Sequence, residues 1–324
     1  MGTKPSNVSF AVTLKPYDFN LIGVYGNQVE AVASHSLSEP FKLSPGILKD
    51  ERLEKYTDTI QMLIQTSGLD GKNVDIVIDE EMVIIKTISV AMGLEEDAVK
   101  DQLHWEADGY LIAPLSDYVL EFEKLPIQTK EGNPVYIMVC IRKKLINILQ
   151  SMINQIGMKM TSLDVDVFAY IRALKANYSL KKKDMCAIVE IQKGAIKIIL
   201  LQKSDYFLSH QIEFDQEKYG SDGVTSNEMV KRLTKELNRL IFGHNLGRQI
   251  DDLGGLYLVG TEAVHQIAHS LEAQLSIPVE ILNPFQKVRV AEHVSNQEVF
   301  QNFPERFGAN LGALLKNAPD LAVA

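Results

Sequence analysis

Apolar positions recur along this chain with two periods, two for strands and 3.6 for helices, and the switches between them mark its elements. Residues 187–202, AIVEIQKGAIKIILLQ, hold two apolar runs, 187–191 and 195–201, around Gln192-Lys193-Gly194. β-Branched residues dominate both runs, so the pattern predicts a buried hairpin in which Gly194 supplies the positive φ of a tight turn. Near the N-terminus Val8–Leu14 and residues 19–25 repeat that shape around Lys15-Pro16-Tyr17-Asp18. Each hairpin is followed by another extended run, 28–37 or 206–214, then a polar break and an amphipathic helix. The chain is therefore expected to be built twice on one plan, each half opening on a hairpin tip. In several nucleotide-binding folds such paired tips hold phosphate.

Residues 1–7 are polar and read as disordered. After Ser44-Pro45-Gly46, the segment 47–66 places Leu53, Tyr56, Ile60, Leu63 and Ile64 at helical spacing, and Ser67-Gly68 ends it. VDIVI at 74–78 reads as a buried strand. A strand at 82–90, a helix at 95–110 that opens on Glu95, Glu96 and Asp97, and strands at 118–122 and 134–141 form an α+β module of their own. Helices follow at 143–156 and 165–177, with a strand at 159–164 between them. The second half adds a polar loop at 217–226, a helix at 227–242, a strand at 255–260, a helix at 262–275, an extended piece at 278–282 and a last helix at 307–316. The expected domains are a first-lobe core over 1–80, an inserted subdomain over 81–141, a return to the first-lobe core over 142–180 and a second lobe over 181–324. The fold class is α/β in two lobes.

Composition narrows the functions. A chain of 324 residues with 46% hydrophobic and 23% charged positions suits a globular protein of two lobes. Its net charge of −9 offers no field for nucleic acid or an anionic membrane. The basic runs Arg142-Lys143-Lys144 and Lys181-Lys182-Lys183 read as solvated surface. Cys140 and Cys186 lie inside apolar runs, as buried thiols of a reducing compartment do. No window of about 18 uninterrupted apolar residues and no secretory leader is present, so a soluble cytosolic chain without direct membrane insertion is expected.

Four stretches together resemble the PilM family of type IV pilus assembly proteins, within the actin-like ATPase superfamily and related to FtsA. They are VIIKTISVAMGLEEDAVKDQLHWEADGYLIAP at 83–114, LDVDVFAYIRAL at 163–174, GGLYLVGTEAVHQIAHSLEAQLSIPVEILNPF at 254–285 and FGANLGALLK at 307–316. Their order along nearly the whole chain carries the likeness. The resemblance implies a two-lobed actin-like ATPase fold whose first lobe (1A-like) holds an inserted 1C-like subdomain, matching 81–141, with a 2A/2B-like second lobe. It also implies a cytoplasmic scaffold, peripheral to the inner membrane, that binds the N-terminal peptide of a PilN-like bitopic membrane protein and meets other platform or motor proteins. Val83, Ile85 and Trp105 are the candidates for that peptide groove.

The same resemblance locates the nucleotide loops, and there the chain departs from the superfamily. The first phosphate hairpin usually reads D-[IL]-G-[ST]; here Thr13 takes the place of the metal-directed aspartate and Lys15 that of the glycine. The second usually reads D-I-G and here is Glu190-Ile191-Gln192. The adenine-side glycine pair survives as Gly260-Thr261, and the acidic helix that should follow the second meander has no counterpart. Glycine lets backbone N–H groups reach phosphate oxygens, and a neutral hydroxyl cannot carry an aspartate's charge at Mg²⁺. The expectation is a pseudo-ATPase with no cofactor; the alternatives are an active ATP- and Mg²⁺-binding protein of the same family, with Glu190 as its acid, or a type II secretion L-like component. Glu262, His265 and His269 share a helix but lack a further strong metal ligand, and Asp164 and Asp166 lead into a helix, where one is expected to cap it.

Overall fold

In the computed structural model, which describes residues 8–43, 51–180, 185–214, 226–260 and 263–322, the two hairpins found in the sequence open two sheets of the same plan. The first comprises β1 (Val8–Leu14), β2 (Asp18–Tyr25), β3 (Gln28–Ser36), β4 (Asn73–Ile78) and β8 (Lys159–Val165), in the order β3-β2-β1-β4-β8. The second comprises β9 (Met185–Gln192), β10 (Ala195–Gln202), β11 (Asp205–Glu213), β12 (Leu256–Gly260) and β13 (Val279–Ile281), in the order β11-β10-β9-β12-β13. In each, a three-strand meander continues into two strands parallel to its first. The chain divides into two compact units, 1–23 with 33–166 and 24–32 with 167–324. The sequence places the start of the second lobe at 181; in these units the helix at 166–177 counts with the second, apart from Asp166. The β2–β3 tip also counts with the second unit, where Val29 donates to the Arg289 carbonyl at 2.9 Å.

The first unit packs α1 (Glu51–Thr66) and α3 (Lys143–Gln155) on its sheet. Leu145, Ile148, Leu149, Met152 and Ile153 of α3 are buried at the i, i+3, i+4, i+7, i+8 spacing that makes one apolar stripe. Phe19, Phe41 and Tyr56 meet edge to face beneath α1, with centroids 5.0 and 4.8 Å apart for the pairs through Phe41. The expected start of α1 at 47, the Ser44-Pro45-Gly46 turn and residues 1–7 lie outside the described residues.

Within this unit stands the inserted module. β5 (Ile84–Ser89), β6 (Tyr118–Gln128) and β7 (Pro134–Arg142) form an antiparallel sheet of order β5-β7-β6. Cross-strand register sorts its side chains. Ile84, Ile88, Leu120, Phe122, Tyr136, Met138 and Cys140 face α2 (Glu96–Asp108), whose Leu103 and Ala107 close a separate small core. Ile85, Val139 and Glu121 lie on the other face. Two expectations need correction. The strand expected from 82 starts at Ile84, because Asp79 accepts the Glu81 N–H at 3.0 Å and winds Glu80–Met82 into a 3-10 turn. β6 runs on to Gln128 instead of stopping at 122, carried by pairing with β7 through an irregular register.

The second unit covers its sheet with α4 (Asp166–Asn177), α5 (Ser226–Gly243), α6 (Ala263–Glu272) and α9 (Gly308–Asn317), with short helices α7 (Glu292–Ser295) and α8 (Glu298–Asn302) between the last two. Val230, Leu233, Leu237, Leu240 and Ile241 form the buried stripe of α5. Cys140 and Cys186 are free and buried, and burial raises their thiol pKa values to about 11 and about 12. Among the described residues no helix is long and apolar enough to cross a membrane.

Candidate functional site

The parallel register of the first sheet builds its candidate site. Leu14 of β1 pairs with Ile78 of β4, and Ile78 pairs with Val165 of β8. The next residue on each strand is Lys15, Asp79 and Asp166, so three ionisable side chains emerge together where the parallel strands end. Ligands of open α/β sheets collect at that edge. Here the edge is occupied by its own cation. The Lys15 ammonium lies 3.4 Å from Asp79 Oδ2 and against Asp166 Oδ2, and all three side chains are at least nine-tenths buried. Asp166 Oδ1 also accepts the Glu80 N–H at 3.1 Å. That places Asp166 in the ion cluster; of the two residues of which the sequence expects one to cap the helix, the other, Asp164, accepts the Val165 N–H on Oδ1 at 2.9 Å. Thr13 is buried and its hydroxyl has no hydrogen-bond partner among the described residues.

The second hairpin closes on a two-residue turn, with Gln192 paired to Ala195 and Gly194 at φ +81°. Counting back from that pair puts Lys197 opposite Glu190. Glu190 is buried in a local network. It accepts Tyr170 Oη at 2.8 Å and Gln192 Nε2 at 2.9 Å, with Lys197 Nζ 3.7 Å away. Lys197 is 0% exposed, and a lysine so placed needs a counter-charge. Gln192, expected in the place of a phosphate-loop glycine, donates its side-chain amide to Glu190 here.

Gly260 has a reason to be glycine that involves no ligand. Its φ is +120°, and a Cβ there would overlap the Ile191 carbonyl as β12 ends beside β9. Thr261 lies outside the described residues.

Of the three groove candidates, Val83 and Ile85 stand two residues apart at the start of β5, and Trp105 stands apart from them on α2. Val83 packs partly on the first unit's main core, and Ile85 is half-buried on the module face away from α2. Trp105 stands on the outer side of α2, 75% exposed. His265 points its Nε2 at the Asn302 carbonyl, 3.2 Å away, and lies 3.6 Å from Glu305 Oε1. Glu305 is fully buried, neither of its oxygens has a hydrogen-bond partner among the described residues, and burial raises its pKa. Glu262, like Lys181-Lys182-Lys183 and the 217–225 part of the polar loop, is outside the described residues. Lys143 and Lys144 are exposed at the start of α3.

Sequence reasoning singled out Lys15, Glu190 and Gln192 and missed Asp79, Tyr170 and Lys197. For Lys197 the signal was present, a charged residue at an inward position of an otherwise apolar strand.

Compared with known proteins, residues 25–233 match the family model described as type IV pilus assembly protein PilM. Among solved structures the chain is similar to the PilM-PilN type IV pilus biogenesis complex, at 20% identity and a TM-score of 0.75 over 95% of this chain and 98% of that one. It is also similar to a Bacteroides thetaiotaomicron protein with an actin-like ATPase fold, at 15% identity and a TM-score of 0.45 over 86% and 92% of the two chains. A third likeness is to the cytoplasmic domain of EpsL, an inner membrane component of the Vibrio cholerae type II secretion system. It has 12% identity and a TM-score of 0.45 over 95% and 94%.

Proposed function

Because the chain belongs to the family of the type IV pilus assembly protein PilM, with the actin-like ATPase fold, we propose that it works as a docking scaffold and not as an ATPase. In this reading it holds the N-terminal peptide of a PilN-type membrane protein and through that partner sits at the cytoplasmic face of the inner membrane. The observation that carries the reading is the Lys15 ammonium held between Asp79 and Asp166. A phosphate loop presents bare N–H groups to oxygen, and Mg²⁺ must find free carboxylate lone pairs. At this edge a side chain stands in the glycine's place, and its charge already engages both carboxylates. In the second unit Glu190, the alternative reading's acid, is engaged by Tyr170, Gln192 and Lys197. So engaged, these residues do not fit Mg·ATP.

A peptide seat asks for less: an apolar strip with an open backbone edge or a few polar groups beside it. Such a strip is offered by the module face that carries half-buried Ile85 and Val139 beside exposed Glu121, next to Val83 and on the edge strand β5. Isothermal titration of the full chain with a PilN-type N-terminal peptide, in the absence of nucleotide, tests the reading. Saturable binding is expected, weakened at least about tenfold by Ile85→Asp, a polar change in an apolar seat. Binding that requires Mg·ATP, or phosphate release from ATP by the purified chain, would overturn it.

A further inference from the structure

Leu103 and Ala107 turn one side of α2 to the module's sheet, and at 3.6 residues per turn Trp105 stands on the opposite side from both. An indole is among the largest apolar surfaces a side chain can offer, and this one, the only tryptophan of the chain, is 75% exposed. Four residues before it and three after it, on the same face, stand Asp101 and Asp108. Both are exposed, and neither makes an ion pair among the described residues. Asp97 extends the row by one more turn, with Lys100 4.0 Å away. Past the end of the helix, Tyr110 is 42% and Ile112 90% exposed. Nothing in the module's own packing uses this combination of bare indole and unpaired carboxylates.

We propose that the outer face of α2 docks a cationic amphipathic segment of another protein. An arginine or apolar side chain of that segment covers Trp105, while its Lys or Arg charges pair with Asp101 and Asp108. Charge selects this occupant. The chain carries a net −9, so a second copy approaching this acidic face is repelled, as is an anionic membrane, whereas a basic segment is drawn in. The face is distinct from the proposed peptide seat, because Ile85 and Val139 lie on the far side of the module's sheet from α2.

The single tryptophan makes the test direct. The full chain is titrated at low salt with a synthetic Arg/Leu amphipathic helical peptide, and with the same peptide carrying Glu at every Arg position. The expected result is a saturable one-to-one blue shift of tryptophan emission with the Arg peptide only. The double variant Asp101→Lys/Asp108→Lys should lose at least about tenfold in affinity for it, as reversal of paired charges does. Equal responses to both peptides, or full affinity in the double variant, overturn the proposal. So does a blue shift on simply concentrating the chain, which would make a second copy the occupant. The PilN-type peptide is titrated into the same variant. Its unchanged binding keeps the two surfaces separate, and its loss together with the Arg peptide would make them one and overturn the inference. Failure of the PilN-type peptide on the parent chain bears on the scaffold reading alone.

Discussion

Lys15 is the side chain on which the candidate site turns, and its environment gives its removal a definite sign. A buried ammonium between two buried carboxylates stabilises little beyond an apolar replacement of the whole group, but losing one member leaves the others unpaired. Lys15→Met should therefore destabilise the fold by about 3–5 kcal/mol in urea denaturation. Adding Asp79→Asn and Asp166→Asn should recover part of that loss, because they remove the stranded charges. An equal loss in single and triple variants would show that the ammonium acts by packing alone. Glu305 gives the residue-scale prediction in pH. Desolvation by burial raises its pKa above the usual 4.5, with its own backbone N–H, half-exposed His265 and neighbouring Arg306 acting the other way. The folded state thus holds this proton more tightly than the unfolded chain. That contribution is fully present below about pH 4.5 and is lost as pH rises through the raised value. Glu305→Gln should accordingly gain about 1–3 kcal/mol above that raised value, where the parent must bury a charge, and should flatten stability against pH. Urea midpoints measured across pH 4 to 8 would check it, and parallel profiles for parent and variant would refute it.

Elements show what periodicity could and could not reveal. Both hairpins were legible because their apolar runs are β-branched and broken by turn residues, and α1, α3 and α5 because their stripes repeat at helical spacing. The strand expected from residue 82 starts late, since apolar Met82 hides the turn that Asp79 caps. The Glu190–Lys197 pair could have been counted from the two-residue turn at Lys193-Gly194, since pairing of 192 with 195 fixes 190 opposite 197. Nothing local could have joined Lys15 to Asp79 and Asp166, which lie 64 and 151 residues further along the chain. Only the parallel register of β1, β4 and β8 aligns them, and such register follows from long-range packing that one sequence does not display. The contact of α4 with α9 was equally hidden. There Arg172 Nε donates to the Gly312 carbonyl at 2.8 Å, and a Cβ on Gly312 would overlap the Ala169 carbonyl. Gly312→Ala must push two helices apart, and a loss of about 1–3 kcal/mol is expected, as for other overpacked positions. Unchanged urea stability in that variant would mean that the helices separate freely.

At the scale of the molecule, the two halves repeat one plan, and each is held by its own apolar packing. Each unit has its own buried core, centred in the first on residues such as Phe10, Ile76 and Ile148 and in the second on Ile198, Leu237 and Leu258. The module adds a third, around Leu103 and Met138. The sheets are held by this apolar packing, to which the buried groups at Lys15 and Glu190 add their own pairings. A ligand that binds only the folded state stabilises it by RT ln(1 + [L]/Kd), about 2.7 kcal/mol when present at 100 times Kd. Scanning calorimetry with the PilN-type peptide in that excess should raise the transition that melts the first unit by several degrees, given the usual few degrees per kcal/mol for domains of this size. If the scaffold proposal is right, Mg·ATP in millimolar excess should leave every transition in place. A shift with Mg·ATP that Lys15→Met abolishes would instead mean that the ammonium grips phosphate, and Lys15 would then be a ligand-binding group and not a plug.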